Sequence, residues 1–406
     1  MTSMLTRRTA LLASAALMSA PALAQSRKGK AEKVAHGKSK DPAPAGSPAN
    51  TPVGPVDTTA RWAYAMDFET GAMLMDKQSD DEMPPSSMTK LMTLYIVYSR
   101  LKEGRLKLDD TLLVSEKAWR MQGSKMFVPL GASVSVEDLI RGVVIDSGND
   151  AAIVLAEGIG GSEEQFVEMM NATAKKIGLD HSYFKTCTGW PDPEQYMSCR
   201  DIAALAAAII REFPAYYHYD AEKTFKYNGI EQGNRNPMVQ KGTADGLKTG
   251  HTEAGGYGLV VSTKRNDRRI ILVLNGMSTM HERAEESERL MDWCFFNFED
   301  VTLFAAGDVV DRAPVWLGTE RTVPMVAGKD LVVTMPRNWR QKASIKISYD
   351  TPLTAPVMKG DTVGKLMVTG DGVPNFSLPL LAAEDVPKLG LPGRAMAVLS
   401  KYVTGT

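Results

Sequence analysis

Three short strings, far apart in the chain, constrain its fold more than anything else in the sequence. They are Ser87-Met88-Thr89-Lys90, Ser147-Gly148-Asn149 and Lys248-Thr249-Gly250. Each alone says little, because a lone Ser-x-x-Lys is usually a surface helix turn. Ser182-Tyr183-Phe184-Lys185 repeats the first pattern, so at least one match is an accident. Only Ser87 is followed in order by both other strings. Acyl transfer needs a nucleophile, a base, a proton donor for the leaving group and donors aimed at the oxyanion. The three strings hold such groups, provided the chain folds so that they line one cleft.

Local chemistry favours Ser87 as the nucleophile. If it opens a helix, Lys90 lies three residues on, on the same face. A lysine desolvated near other cations sheds its charge readily and can act as a base. The helix N-terminus also favours negative charge developing near Ser87. There is no Ser-His-Asp arrangement and no Gly-x-Ser-x-Gly elbow. The five histidines and three cysteines fall at no metal-ligand spacing, so neither metal nor other cofactor is expected. A net charge of -1 argues against a nucleic-acid partner. Many of the 23 methionines lie at apolar helical spacing, which reads as core packing.

The rest of the chain divides by composition. Arg7 and Arg8 precede the apolar stretch Thr9 to Met18 and the small residues of Ala22-Leu23-Ala24. Residues 1–24 therefore read as a secretory signal peptide, with the Sec and twin-arginine routes both open. The apolar run is too short to span the ~30 Å of a bilayer core. Residues 25–58 are rich in Lys, Pro, Gly, Ala and Ser, which predicts a disordered linker. Residues 59–298 mix helical and strand patterns. A hairpin is expected over Ala63 to Met75, and helices at Leu91 to Leu101, Val136 to Val144, Ala151 to Ile159, Asp201 to Phe213 and Glu285 to Phe298. Paired strands are expected at Tyr257 to Ser262 and Arg269 to Leu274. Residues 299–387 carry short strand-like runs between turn residues, the pattern of a small all-β domain. In residues 388–406, Met396, Val398, Leu399 and Val403 lie with Arg394 and Lys401. This segment reads either as an interfacial amphipathic anchor helix or as a frayed tail. The fold class is thus α/β with a small all-β C-terminal domain.

The motif set resembles that of penicillin-binding proteins and serine β-lactamases. The longer strings around Ser87, Ser147 and Lys248 are similar to those of the low-molecular-mass D-alanyl-D-alanine carboxypeptidases. So are Thr188-Gly189-Trp190-Pro191-Asp192-Pro193 and the stretch Tyr349 to Val357. The resemblance covers about Arg61 to Glu384. It implies a transpeptidase-like domain with an antiparallel sheet and helices. It also implies hydrolysis of the terminal D-Ala from peptidoglycan stem peptides through an acyl-enzyme, with inhibition by β-lactams. The expected location is the periplasm, with the C-terminal segment touching the outer face of the inner membrane. Trp190 departs from the usual leucine. Cys187 and Cys199 also depart, and an oxidising periplasm would let them pair.

The resemblance implies the same roles as the chemistry. Ser87 attacks, Lys90 takes its proton, and Ser147 relays a proton to the departing amine beside the charge of Lys248. Asn149 holds the substrate amide chain and orients Lys90. The backbone N–H groups of Ser87 and His251, beyond Gly250, form the oxyanion hole. Thr249 and Arg283 receive the substrate carboxylate, with Arg235 as a second cationic candidate. Two rivals compete. A class A β-lactamase usually shows Ser-Asp-Asn and a Glu-x-x-x-Asn loop, and it lacks the all-β domain. A non-catalytic wall-binding scaffold would be expected to lose the nucleophile or its lysine.

Overall fold

The structure, a computed structural model, describes residues 47–370 and 376–404. The expected signal peptide and residues 25–46 of the expected linker lie outside the described residues. The strands are β1 (Pro48–Ala49), β2 (Val56–Asp57), β3 (Trp62–Asp67), β4 (Met73–Lys77), β5 (Thr111–Leu113), β6 (Ser133–Ser135), β7 (Thr224–Tyr227), β8 (Ile230–Gly233), β9 (Gly246–Thr252), β10 (Gly256–Arg265) and β11 (Arg268–Met277). The helices among them are α1 (Lys90–Lys102), α2 (Glu116–Arg120), α3 (Val136–Val144), α4 (Asn149–Gly160), α5 (Glu163–Lys176), α6 (Cys199–Glu212), α7 (Pro237–Lys241) and α8 (Met280–Asn297).

An antiparallel sheet in the order β4-β3-β11-β10-β9 divides this region. Successive strand residues point to opposite faces, and β10 and β11 bury both. Val260, Ile271 and Val273 join the core shared with the helices α1, α3, α4, α5 and α6. Leu259, Val261, Ile270, Leu272 and Leu274 pack on the other face with Leu290, Met291 and Cys294 of α8. Helix α1 has no polar face to speak of: Lys90 to Tyr98 are all buried. A helix enclosed on every side is a rigid mount, and Ser87 and Lys90 stand at its entrance. Strand β9 is the open edge of the sheet. Among the described residues its outer backbone groups have no partner strand, which suits it to pair with an extended peptide.

The expected helices and strands all appear, with ends shifted by a few residues. Order begins earlier than the composition predicts. β1 pairs with β2, Ala49 and Val56 are buried, and Thr58 Oγ1 donates to Glu286 Oε2 at 2.7 Å. Lys77 Nζ ties Ser47 O and Ala60 O at 2.6 Å each. The segment lacks large apolar residues, but two small ones and a set of polar ties fix it. Of the two states left open for Cys187 and Cys199, the structure shows the unpaired one. All three cysteines are free and buried. Cys187 Sγ donates to Glu163 Oε1 at 3.3 Å, and Cys199 Sγ faces Met83 Sδ at 3.8 Å.

Beyond α8 the chain is β-rich, with β12 (Phe298–Phe304), β13 (Val309–Trp316), β14 (Thr322–Ala327), β15 (Leu331–Pro336), β16 (Ala343–Ser348), β17 (Leu353–Thr354), β18 (Thr362–Gly370) and β19 (Phe376–Ala382). β12 pairs with β15, and the others form a sheet in the order β16-β18-β19-β14-β13-β17. Val323, Met325, Val333, Met335, Leu366, Val368 and Leu380 fill a separate core. The last helix, α9 (Leu391–Thr404), bears Leu391, Met396, Leu399 and Tyr402 exposed. No helix among the described residues is long and apolar enough to cross a membrane.

A buried ionic clasp joins the two regions. Arg268 Nε contacts Asp67 Oδ2 at 2.9 Å and Asp300 Oδ1 at 3.2 Å. Arg268 Nη1 also donates to Phe298 O at 2.7 Å. Thr334 Oγ1 donates to Asp300 at 2.8 Å and meets Thr70 Oγ1 at 2.6 Å. Asp67 is fully buried, so its loss removes one of the two carboxylates that compensate Arg268 in a poorly hydrated place. Asp67→Ala is expected to lower stability by about 3 kcal/mol in urea unfolding. A change below ~0.5 kcal/mol, the range of neutral surface substitutions, would show that the clasp is incidental.

Candidate active site

The structure brings the three strings together. The chain enters α1 through a short 3-10 turn, Ser86–Thr89. Ser87 is half-buried at the mouth of the cleft, and Lys90 is fully buried behind it. Lys90 Nζ lies 2.9 Å from Ser87 Oγ, 2.7 Å from Asn149 Oδ1 and 2.6 Å from Thr188 O. Burial pushes its amine down to about 7, with Arg235 also lowering it. A group poised there is neutral for much of the time near neutral pH and can take a hydroxyl proton.

The second string begins in a strained turn. Ser147 has φ 57, in the left-handed region that a residue with a side chain occupies only when its surroundings hold it. Asn149 opens α4. Its Nδ2 donates to Gln122 O at 2.8 Å, and its backbone N–H donates to Ser124 O at 2.7 Å. The next residue, Asp150, accepts from the backbone N–H groups of Met126, Phe127 and Val128 at 2.9–3.2 Å. One helix start thus fixes Asn149 and the wall formed by residues 122–128.

The third string lies on β9. Lys248 Nζ is 2.8 Å from Ser147 Oγ and 3.2 Å from Thr249 O. Its amine is pushed well below the usual lysine range, chiefly by burial and then by the nearby Lys90, Arg235 and Arg283 cations. Gly250 passes the nucleophile turn very closely. A β-carbon there would sit 3.1 Å from Pro85 O and 3.3 Å from Ser87 N. Absence of a side chain therefore lets β9 run beside Ser87, with His251 next in line. The His251 ring stacks on Tyr257 at a centroid distance of 3.9 Å.

Ser87, Ser147, Asn149, Thr249, Gly250 and His251 line one cleft of about 970 Å³, together with Arg235 and Arg283. Lys90 and Lys248 sit just beneath its wall, bonded to Ser87 and Ser147. Arg283 is almost wholly buried, and its Nε has no hydrogen-bond partner. Its Nη2 reaches Arg235 O at 3.5 Å. Arg235 Nε donates to Asp146 O at 3.0 Å. Burial raises the carboxyl of Asp146 to about 7, so this end of the cleft is strongly cationic. A substrate carboxylate suits such a place. The second Ser-x-x-Lys match is elsewhere: Ser182 Oγ donates to Asp201 Oδ2 at 2.7 Å, and Lys185 pairs with Glu194 at 2.9 Å.

With this geometry in view, the relatives are informative. Residues 49–279 match the D-alanyl-D-alanine carboxypeptidase family model, and residues 298–388 match that of the penicillin-binding protein 5 C-terminal domain. The chain belongs to the D-alanyl-D-alanine carboxypeptidase family. It is 39% identical over 362 residues to D-alanyl-D-alanine carboxypeptidase DacA of Haemophilus influenzae, covering 87% of this chain and 92% of that one. Penicillin-binding protein 5 from the same organism superposes with a TM-score of 0.73 at 38% identity, over 82% of this chain and 99% of the other. An ampicillin-bound penicillin-binding protein D2 from Listeria monocytogenes aligns over 59% of this chain and 98% of its own, at TM-score 0.55 and 26% identity. The carboxypeptidase family thus accounts for both the α/β region and the β-rich region.

Sequence reasoning missed two backbone features of this carboxypeptidase-like site, Thr188 O and the close passage of Gly189. Thr188 O, which receives Lys90, carries no side-chain signal. Gly189 has φ +79, and a β-carbon on it would run into Ser86 O. That glycine in a Thr-Gly-Trp string was the one available cue. Gly189→Ala is expected to displace the Ser86–Ser87 turn and slow β-lactam acylation about 100-fold, since ångström misplacements cost that much. Stopped-flow acylation checks this, and a rate within about threefold of the parent would show that the turn tolerates the side chain.

Proposed function

We propose that this enzyme is a serine D-alanyl-D-alanine carboxypeptidase that removes the terminal D-Ala from peptidoglycan stem peptides, with Ser87 as nucleophile. The observation that carries the reading is the 2.9 Å contact between Ser87 Oγ and a fully buried Lys90 amine. Neutral Lys90 accepts the Ser87 proton as Oγ attacks the carbonyl of the penultimate D-Ala. The oxyanion meets the N–H groups of Ser87 and His251; one such donor is typically worth about 100-fold in rate. Ser147, bonded to Lys248, hands a proton to the departing amine, and the C–N bond breaks. Lys90 then gives up the proton it took from Ser87, which restores the one spent by Ser147 and Lys248, and the neutral amine draws a proton from the water that attacks the ester and returns it to Ser87 Oγ as the acid leaves.

The substrate carboxylate has a further effect. Bound among Thr249, Arg235 and Arg283, it adds a negative charge where burial and the two arginine cations disfavour a charged Lys248. It therefore raises the proton affinity of Lys248 on binding. The proton needed by the leaving group is recruited when substrate arrives. Asn149 gives Oδ1 to Lys90 and one Nδ2 hydrogen to Gln122 O, leaving the other for the substrate amide.

β-Lactams are inhibitors in this reading, supported by the ampicillin-bound Listeria neighbour. A β-lactamase is the weaker reading because the carboxypeptidase family spans both regions. A non-catalytic scaffold would not need Ser87, Lys90, Ser147 and Lys248 in mutual hydrogen-bond reach. We assign residues 1–24 to an export signal, 59–298 to the catalytic domain and 299–387 to the all-β domain, with action in the periplasm. Residues 388–406, containing the exposed apolar side chains of α9, are the proposed contact with the outer face of the inner membrane.

Two tests separate these claims. Ser87→Ala is expected to abolish D-Ala release and covalent penicillin labelling, with Ser182→Ala leaving both intact; the opposite pattern would reassign the nucleophile. Truncation after Pro387 is expected to move the enzyme from the membrane to the soluble fraction while soluble peptide is still cleaved. Unchanged fractionation would refute the anchor.

A further inference from the structure

Past the nucleophile, at Gly189, Trp190 and Thr252, the cleft borders a second groove of about 370 Å³, and Trp190 and Pro191 wall both spaces. Trp190 is 41% exposed, so its ring face is open to a ligand. It lies close against Gly123. Its ring edge is 3.1 Å from where a β-carbon of Gly123 would sit, and Asn149 Nδ2 is 2.9 Å from the same point. The ring therefore stands next to the Asn149 amide, the group assigned to the acyl-donor side of the substrate.

The two neighbouring spaces differ in charge. Lys248, Arg235 and Arg283 gather at the leaving-group end. The groove beyond Trp190 contains no lysine or arginine in its lining; Glu82, Asp192, Tyr196 and the prolines 84, 191 and 193 lie there instead. Glu82 is exposed and Asp192 half-buried. Asp192 Oδ1 accepts from Glu194 N at 2.8 Å, which turns its carboxylate into the loop. A ligand matched to both spaces is anionic at its C-terminus and cationic some distance upstream. An aliphatic arm lying on the Trp190 face, with its ammonium near the ring and Glu82, satisfies both ends. Cation–π attraction and buried methylene area act together there.

We propose that Trp190 is a specificity-determining residue that selects stem peptides whose acyl-donor side chain ends in a free ammonium group. The inference rests on the carboxypeptidase reading above and extends it to the donor side. Leucine at this position keeps an apolar contact but has no π face, so replacing the ring isolates the effect. Trp190 is exposed, so the change leaves the core packing intact.

The test compares two peptides, Nα-acetyl-L-Lys-D-Ala-D-Ala and its Nε-acetylated form, by kcat/KM for D-Ala release. The parent enzyme is expected to favour the free amine by about threefold or more, the size of a partly exposed cation–π contact. Trp190→Leu should bring the ratio close to one, Trp190→Phe should retain part of it, and Glu82→Gln should lower it. A ratio of one in the parent enzyme, or an unchanged ratio in Trp190→Leu, would overturn the proposal. Release of D-Ala from both peptides at equal rates sinks this inference alone, whereas release from neither sinks the carboxypeptidase reading with it.

Discussion

Burial of the Lys90 amine is the interaction on which the site depends. An ammonium group taken out of water loses several kcal/mol of hydration. Three acceptors, Ser87 Oγ, Asn149 Oδ1 and Thr188 O, return part of it. The balance leaves the amine neither firmly charged nor firmly neutral. Such a group gives up and regains a proton at little cost, which a base in a two-step acyl transfer must do. The acceptors come from three separate segments: the nucleophile turn, the start of α4 and the loop before Trp190. Any shift among them changes both the position and the proton affinity of the amine.

Rigidity comes from the layers around it. Helix α1 is enclosed by α3, α4, α5 and α6, so its first residues cannot drift. The sheet supplies the opposing wall and ends on that side in the edge strand β9. One element thereby contributes Lys248 beneath the cleft and a backbone edge along it. The same edge explains Gly250: substrate, strand and nucleophile turn converge where a side chain would separate them. On the far face of the sheet, α8 carries Arg283 to the cationic end of the cleft from a packed helix.

Much of this was legible in the sequence, and the reason is periodicity. Leu91 to Leu101, Val136 to Val144 and the β10–β11 pair carry strong apolar patterns, so their type and rough extent followed directly. The convergence of Ser87, Lys90, Ser147 and Lys248 followed too, because they occur in order. What did not follow was backbone. Thr188 O and the left-handed turn at Ser147 depend on tertiary packing and leave no residue-type signature. The order of Ser47 to Asp57 rests on buried Ala49 and polar ties, which composition ranks as linker. Cys187 and Cys199 are kept apart by different partners, Glu163 and Met83, and spacing along the chain does not reveal that.

The central claim is that Lys90 loses its proton near neutrality and serves Ser87 as base. The rate of acylation by a β-lactam, followed across pH, tests it most directly. With the amine at about 7, the account predicts a rate that climbs about tenfold per pH unit below that point and levels off above roughly pH 8. A rate that stays flat from about pH 5 to 9 would mean that no group titrating near 7 takes the proton, and would contradict it.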